Sequence, residues 1–333
     1  MRAFMTNLID SRELNELIRE PNIAEVMAES ALGLDLRGIK LSESQSVLLG
    51  DWIARQSIPI LGLLDDKSSV SDCLDLVIDT EQECLAIMKK INEYPMACAV
   101  LVQITRASVN LTFPHALSLE SLGYATLQSG AEFSRWLSKY EKENQQKPQY
   151  DLTNPILLER EGGELRIILN TPVNRNALSI PMRDGLSEAF KIVSMDDSIT
   201  RVYVSANGPC FSAGGDLTEF GSATDFSEAH AIRKLRMPAQ YLIPQKHRYT
   251  AFINGACIGA GIEIFAFSSC VQAKRDAVFR LPEIEMGLIP GAGGCVSIPR
   301  RIGRQRMNYF AISGKQITAD EAMLWGLVDK ILD

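Results

Sequence analysis

Two glutamates in this 333-residue chain sit where carboxylates are not expected. Glu263 lies inside the apolar run Ile262, Ile264, Phe265, Ala266 and Phe267. Glu283 follows Leu281-Pro282, ahead of a segment punctuated at Gly287, Pro290, Gly291, Gly293 and Gly294. A carboxyl group among apolar neighbours loses hydration, which disfavours its charged form and raises its pKa. Two such groups brought to one apolar pocket can hold a water and pass a proton between them. Each also has a plainer reading. A glutamate in the first turn of a helix favours the helix dipole, and Glu283 can be an ordinary loop carboxylate. The chemical reading needs both.

Two glycine-rich loops could serve such a pair. Residues 205–220, SANGPCFSAGGDLTEF, read as a buried strand running into a loop and a helix start. Gly214 and Gly215 let backbone N–H groups face outward and allow a ligand to approach closely. GAGIE, residues 259–263, repeats the device at the start of a helix. Two N–H groups from two such loops can converge on one oxygen and stabilise charge developing there, helped by the positive end of the second helix. Either loop alone is weak evidence, since most glycine-rich loops are turns.

The remaining composition narrows the function by exclusion. The net charge is −7 and the pI about 5.2, which argues against nucleic acid as a partner. The seven cysteines are scattered, with no CxxC pair and no metal-type spacing. They read as reduced, small buried hydrophobes, and no metal site is expected. The N-terminal MRAFMTNLIDSRELNELI lacks the apolar core of a signal peptide, and no apolar run has the length of a membrane span. A cytoplasmic setting is the expectation. His115, His230 and His247 stand alone and read as structural or surface residues. Arg300, Arg301, Arg304 and Arg306 read as a solvated basic face, with phosphate contact as the alternative.

These residues need elements to hold them. The spacing of Leu14, Leu17 and Ile18, and of Ile23, Val26, Met27 and Ala31, predicts two amphipathic helices over 11–34. A strand is expected in 58–64, and helices over 81–91, from Pro95 to Ile104, and over 131–140. Glu141 to Pro155, EKENQQKPQYDLTNP, is polar with two prolines and reads as a linker. After it the pattern alternates. Strands are expected at 165–169, 202–205, 249–253, 271–273, 278–280 and 327–331, with helices at 181–193 and from Gly259. Such alternation predicts an α/β fold with largely buried strands.

With these motifs in order, residues 165–333 resemble the crotonase superfamily, the enoyl-CoA hydratase/isomerase group. The resemblance rests on LNTPVNRNAL (169–178), CFSAGGDL (210–217), NGACIGAGIEI (254–264), FRLPEIEMGLIPGAGG (279–294) and ITADEAMLWGLVDKIL (317–332). Thr171 departs from the family's usual Arg, and Ala260 stands where Gly is frequent. The resemblance implies a crotonase-like β-β-α spiral over 151–333, preceded by a mostly helical domain over 1–150. It implies that Gly215 and Ala260 supply two oxyanion N–H groups to a thioester carbonyl. Ala177, Leu178, Ala213, Gly214, Asp216 and Leu217 would line the coenzyme A site, and Glu263 and Glu283 would be the catalytic pair.

The implied activity is hydration of a 2-enoyl-CoA, or the reverse dehydration, in fatty acid metabolism, with no cofactor beyond the substrate's own coenzyme A. Isomerisation, thioester hydrolysis, decarboxylation and cofactor-free oxygenation of an arylacetyl-CoA are the rivals within the fold. A non-catalytic acyl-CoA-binding or assembly subunit is the rival from another class. The resemblance also implies a homotrimer or dimer of trimers, without membrane or nucleic acid. The family continues past its Leu-Val-Asp strand into pocket-covering helices. The same order appears upstream here, in Leu76-Val77-Ile78-Asp79, the 81–91 helix, Tyr94-Pro95-Met96-Ala97 and the stretch from Glu120 to Trp136. The N-terminal half is therefore expected to hold a shrunken crotonase-like unit whose helices cover the pocket.

Overall fold

A computed structural model describes residues 30–65, 71–144, 150 and 152–333. Its N-terminal half opens with a small parallel sheet. Strands β1 (Leu32–Asp35), β2 (Ile60–Leu63) and β3 (Leu76–Ile78) lie side by side in that order, with Leu32 opposite Ile60 and Leu61 opposite Leu76. Between β1 and β2 runs helix α1 (Glu43–Arg55). Ser42 and Gln45 form a capping box at its start, each side chain taking the other's backbone N–H. Leu49, Trp52 and Ile53 of α1 close one face of this sheet with Leu34, Ile58 and Leu74.

Four helices follow in succession. These are α2 (Glu81–Glu93), α3 (Pro95–Ser108), α4 (Phe113–Gln128) and α5 (Ala131–Glu143). Proline opens α3 and stands in the first turn of α4, where its missing N–H costs nothing. No local side chain caps α3. The Glu132 carboxylate of α5 does so instead, accepting the N–H groups of Met96 at 2.8 Å and Ala97 at 3.0 Å.

The second half is built on a six-stranded sheet. In chain order its strands are β4 (Ile156–Glu161), β5 (Glu164–Leu169), β6 (Arg201–Ala206), β7 (Tyr249–Ile253), β9 (Cys270–Lys274) and β12 (Lys330–Leu332). The spatial order is β12-β9-β7-β6-β5-β4, and only β4 runs antiparallel to its neighbour. A second small sheet, in the order β11-β10-β8, joins β8 (Ala256–Ile258), β10 (Val278–Arg280) and β11 (Ile317–Thr318). Helices α6 (Ile180–Met195) and α7 (Phe226–Arg236) lie in the crossovers. They are followed by α8 (Ala260–Phe265), α9 (Gly294–Ser297), α10 (Pro299–Ile302), α11 (Arg304–Ser313) and α12 (Ala319–Trp325). One core runs through both halves: Ile78, Leu101, Leu117 and Phe133 share it with Ile167, Phe190, Phe265 and Phe310.

Several sequence expectations change. Of the two helices expected over 11–34, residues 11–29 lie outside the described residues, and Leu32–Leu34 belongs to β1 rather than to a helix. Gly33 and its neighbours pair with β2 there, and cross-strand burial overrides local spacing. The expected strand at 327–331 is shifted to β12, because Leu327 and Val328 turn back onto Ala322. Helix α1, strand β4 and helix α7 have no counterpart in the expectations.

The arginine run is more than a solvated face: Arg300 is exposed and Arg301 and Arg304 are half-buried, but all three are committed to partners. Arg300 donates to the carbonyls of Ser108 and Leu111, and Arg301 to those of Ala266 and Ser268. Arg304 pairs with the fully buried Asp75 at 2.7 Å, and Arg106 joins the same carboxylate. Asn308 adds a bond from α11 to the Asp75 carbonyl at 3.0 Å. The two halves are thus pinned by buried polar groups as well as by apolar packing.

Candidate active site

Glu263 stands in the first turn of α8, 2% exposed. Its Oε2 accepts the N–H groups of Ala292 at 2.7 Å, in the loop leading into α9, and of Gly294 at 3.1 Å, the first residue of α9. Glu283 opens a single 3-10 turn, Glu283–Met286, after β10. The residue is half-buried, but its Oε2 is sealed from solvent and has no partner among the described residues. The backbone of Gly259 lies against both carboxyls. A Cβ there would sit 2.3 Å from Glu283 Oε1 and 3.8 Å from Glu263 Oε1, and Gly259 has φ +47°. Only glycine fits that turn. The sequence pair is therefore brought together.

The two carboxyls are not equivalent. Burial pushes Glu263 up to about 7, against the pull of the two N–H groups that favour its charged form. Burial, and then the charge of Glu263, push Glu283 well above the carboxylate range. The proton of a pair this close belongs to both, but the surroundings favour its residence on Glu283. Glu263 holds the negative charge where N–H donors meet it, and Glu283 keeps a free oxygen.

The glycine loop beside them is set by the Asn-Arg-Asn-Ala-Leu segment. Asn176 ties three chain segments: its Oδ1 accepts the Thr171 N–H, and its Nδ2 donates to the carbonyls of Asn207 and Cys210. Arg175 and Asn176 adopt positive φ, +57° and +51°, so the segment folds tightly back. This brings Leu178 beside Gly215, with the Leu178 N–H donating to the Gly214 carbonyl at 2.7 Å. Ala213 donates to the Arg175 carbonyl at 2.9 Å, and Asp216 caps the turn Leu217–Glu219 by accepting the Thr218 N–H at 3.0 Å.

Ala177, Leu178, Ala213, Gly214, Asp216 and Leu217 thus fall along one rim. Gly214 packs on the next loop, a Cβ there meeting the Ile258 carbonyl oxygen at 2.9 Å and the Ala260 nitrogen at 3.8 Å. The two oxyanion candidates are therefore neighbours. Neither the Gly215 nor the Ala260 N–H is committed to an acceptor among the described residues.

The N-terminal helices wall this site with side chains to which sequence reasoning gave no individual role. Glu120 of α4 is fully buried and accepts the N–H groups of Gly293 at 2.7 Å and Cys295 at 2.8 Å. The backbone donors of one loop therefore alternate between two carboxylates, Ala292 and Gly294 to Glu263, Gly293 and Cys295 to Glu120. Burial, then the neighbouring Glu263 charge, raise Glu120 well above its ordinary range. Tyr124, one turn on, lies against Gly291, where a Cβ would meet its ring at 2.2 Å. Helix α5 closes the other side: Gly287 packs on the Phe133 backbone, and Gly221 on Leu137. Trp136 meets Phe220 edge-on at 5.8 Å, and Phe220 in turn covers Gly215. A glutamate on the buried face of a proline-started helix was the available signal for Glu120; its partner loop was not readable.

Two β-layers with crossover helices, two glycine loops presenting free N–H groups and a paired carboxylate beneath them define a crotonase-type fold. Residues 159–333, just over half of the chain, match the sequence model of the enoyl-CoA hydratase/isomerase family. The chain belongs to that family. It is 31% identical over 182 residues to the enoyl-CoA isomerase/hydratase fer4 of Mycosarcoma maydis, covering 51% of this chain and 65% of that protein. It is 31% identical over 176 residues to the 2,3-dehydroadipyl-CoA hydratase of Escherichia coli (strain K12), covering 53% and 68%. The chain thus spans about two thirds of the length of these relatives. The crystal structure of an enoyl-CoA hydratase from Thermoplasma volcanium superposes with a TM-score of 0.50 at 32% identity, over 56% of this chain and 74% of that one. Among the described residues no helix is long and apolar enough to cross a membrane, and no cluster of three or more His, Cys, Asp or Glu could hold a metal ion.

Proposed function

We propose that this chain adds water across the double bond of a 2-enoyl-CoA thioester, or removes it in reverse. The observation that carries the reading is the asymmetric glutamate pair set against the Gly259–Ala260 turn. The Gly215 and Ala260 N–H groups receive the thioester oxygen as it gains enolate charge, in an oxyanion hole. A water held between the carboxyls attacks the β-carbon and gives its proton to Glu263. Glu283 delivers its proton to the α-carbon. The proton then passes from Glu263 back to Glu283, and the pair is restored. The coenzyme A would run along the rim formed by Ala177, Leu178 and residues 213–217.

Isomerisation is the second reading, since one carboxylate of such a pair can carry a proton between α- and γ-carbons without water. The Mycosarcoma maydis relative carries both activities in its name. Incubation with 2-enoyl-CoA in ¹⁸O-water distinguishes them: hydration puts the label in the product, and isomerisation does not. Retained turnover in both Glu263→Gln and Glu283→Gln would remove the pair, and the reading with it.

In this proposal α4 and α5 exclude bulk water from the pocket, as the helices of a shrunken crotonase-like unit. The packing of Glu120, Tyr124 and Trp136 supports that role. A cytoplasmic setting, a role in fatty acid metabolism, and assembly as a homotrimer or dimer of trimers complete the proposal. Light scattering that shows only monomer at micromolar concentration would rule out the assembly.

A further inference from the structure

Helix α7 turns three basic side chains toward α4. Two are matched by hydroxyls: His230 Nδ1 lies 2.9 Å from Ser121 Oγ, and Lys234 Nζ 2.8 Å from Ser118 Oγ. The third, Arg233, is not matched in this way. Its guanidinium lies over the Tyr124 ring, 4.1 Å from the centroid, and Nη2 reaches Gln128 Oε1 at 3.3 Å. Nη1 is buried with no hydrogen-bond partner, and among the described residues Arg233 forms no ion pair. A guanidinium has five N–H donors and stays charged, so a sealed Nη1 without an acceptor on a half-buried arginine is anomalous.

Position gives the anomaly a meaning. Tyr124 separates Arg233 from the loop that holds Glu263, and the charges of Glu120 and Glu263 are both felt at Arg233. The cation therefore lies one side chain away from the loop that holds Glu263, within reach of its charge. Burial disfavours its charge, and an incoming anion would restore it.

We infer that Arg233 is an anion receptor of this pocket and that the acyl group of the substrate ends in a carboxylate. The inference rests on reading the Glu263–Glu283 pocket as an enoyl-thioester site. Arg233 Nη1 would donate to the acid oxygen, with Tyr124 fixing the plane of the guanidinium. The phosphates of coenzyme A offer the same oxygen chemistry from a second source, and the test must separate them.

The test uses the full chain and four saturated, unreactive acyl thioesters of equal chain length. Two carry an ω-carboxylate and two a methyl end, each on coenzyme A and on phosphate-free N-acetylcysteamine. Binding is read by calorimetry, independent of turnover. The wild type is expected to bind the carboxylate-ended acyl group at least about 10-fold more tightly on both carriers, as desolvated charge-assisted bonds allow. Arg233→Gln should reduce that ratio to near unity, and Arg233→Lys should keep part of it. The inference is overturned if the wild type shows no preference, or if the preference survives Arg233→Gln. It also fails if the variant weakens only the coenzyme A thioesters, which assigns Arg233 to the carrier, or all four alike, which makes it a packing residue. Preference without turnover of the matching enoyl thioesters would retain the receptor and sink the hydratase reading instead.

Discussion

Replacing Glu263 by Gln should make the protein more stable relative to wild type as the pH rises, while removing turnover. The reason is the cost of holding a charge at a 2% exposed position. The carboxyl has its ordinary value of 4.5 in the unfolded chain and is raised to about 7 in the folded one. A raised carboxyl pKa contributes stability that is fully present below the unfolded value and is lost as pH rises through the folded value. For Glu263 the window runs from 4.5 to about 7. Full ionisation across that window costs the folded state about 3 kcal/mol, at 1.36 kcal/mol per pH unit.

Between roughly pH 5 and pH 8 most of that, about 2–3 kcal/mol, should appear as lost wild-type stability. Glutamine does not titrate, yet its amide oxygen can still accept from Ala292 and Gly294, so the loop keeps its anchor. Removing the charge also eases the burden on Glu283, which acts in the same direction. Urea unfolding of both proteins at a series of pH values measures the difference. Two curves that run parallel from pH 5 to pH 8 would refute the reasoning, because Glu263 would then ionise as easily folded as unfolded.

Other substitutions probe the walls of the site. Glu120→Ala leaves the Gly293 and Cys295 N–H groups buried without acceptors, at about 1–3 kcal/mol for each. It should lower turnover about 10-fold by letting the Glu263 loop shift, and Glu120→Gln should recover much of the loss; steady-state kinetics and urea unfolding of both variants check this. Gly259→Ala drives a methyl group into Glu283 Oε1, so turnover of an enoyl-CoA should fall about 10²-fold while the fold survives by circular dichroism. Asp75→Ala strands Arg106 and Arg304 without their shared anion and should cost about 3–5 kcal/mol in urea unfolding. A loss below 1 kcal/mol would mean that water reaches those arginines.

The sequence alone was enough to single out the glutamate pair and, through its motifs, the fold that carries it. Glu263 is legible because a carboxylate within an apolar helix start is rare and has a local cause. The loops at Gly214-Gly215 and Gly259–Ala260 are legible because glycine at such turns reflects local backbone demands. What only the tertiary structure decided depends on partners far apart in the chain. Glu120 meets Gly293 across 173 positions, and Asp75 meets Arg304 across 229. Helical spacing says that one face of α4 or α11 is buried, but not against what. For the same reason the arginines at 300–304 read only as a solvated face, since the carbonyls and carboxylate they serve lie far away in the chain. Arg233 was invisible altogether, since a cation without an ion-pair partner among the described residues is defined by its surroundings, and those exist only after folding.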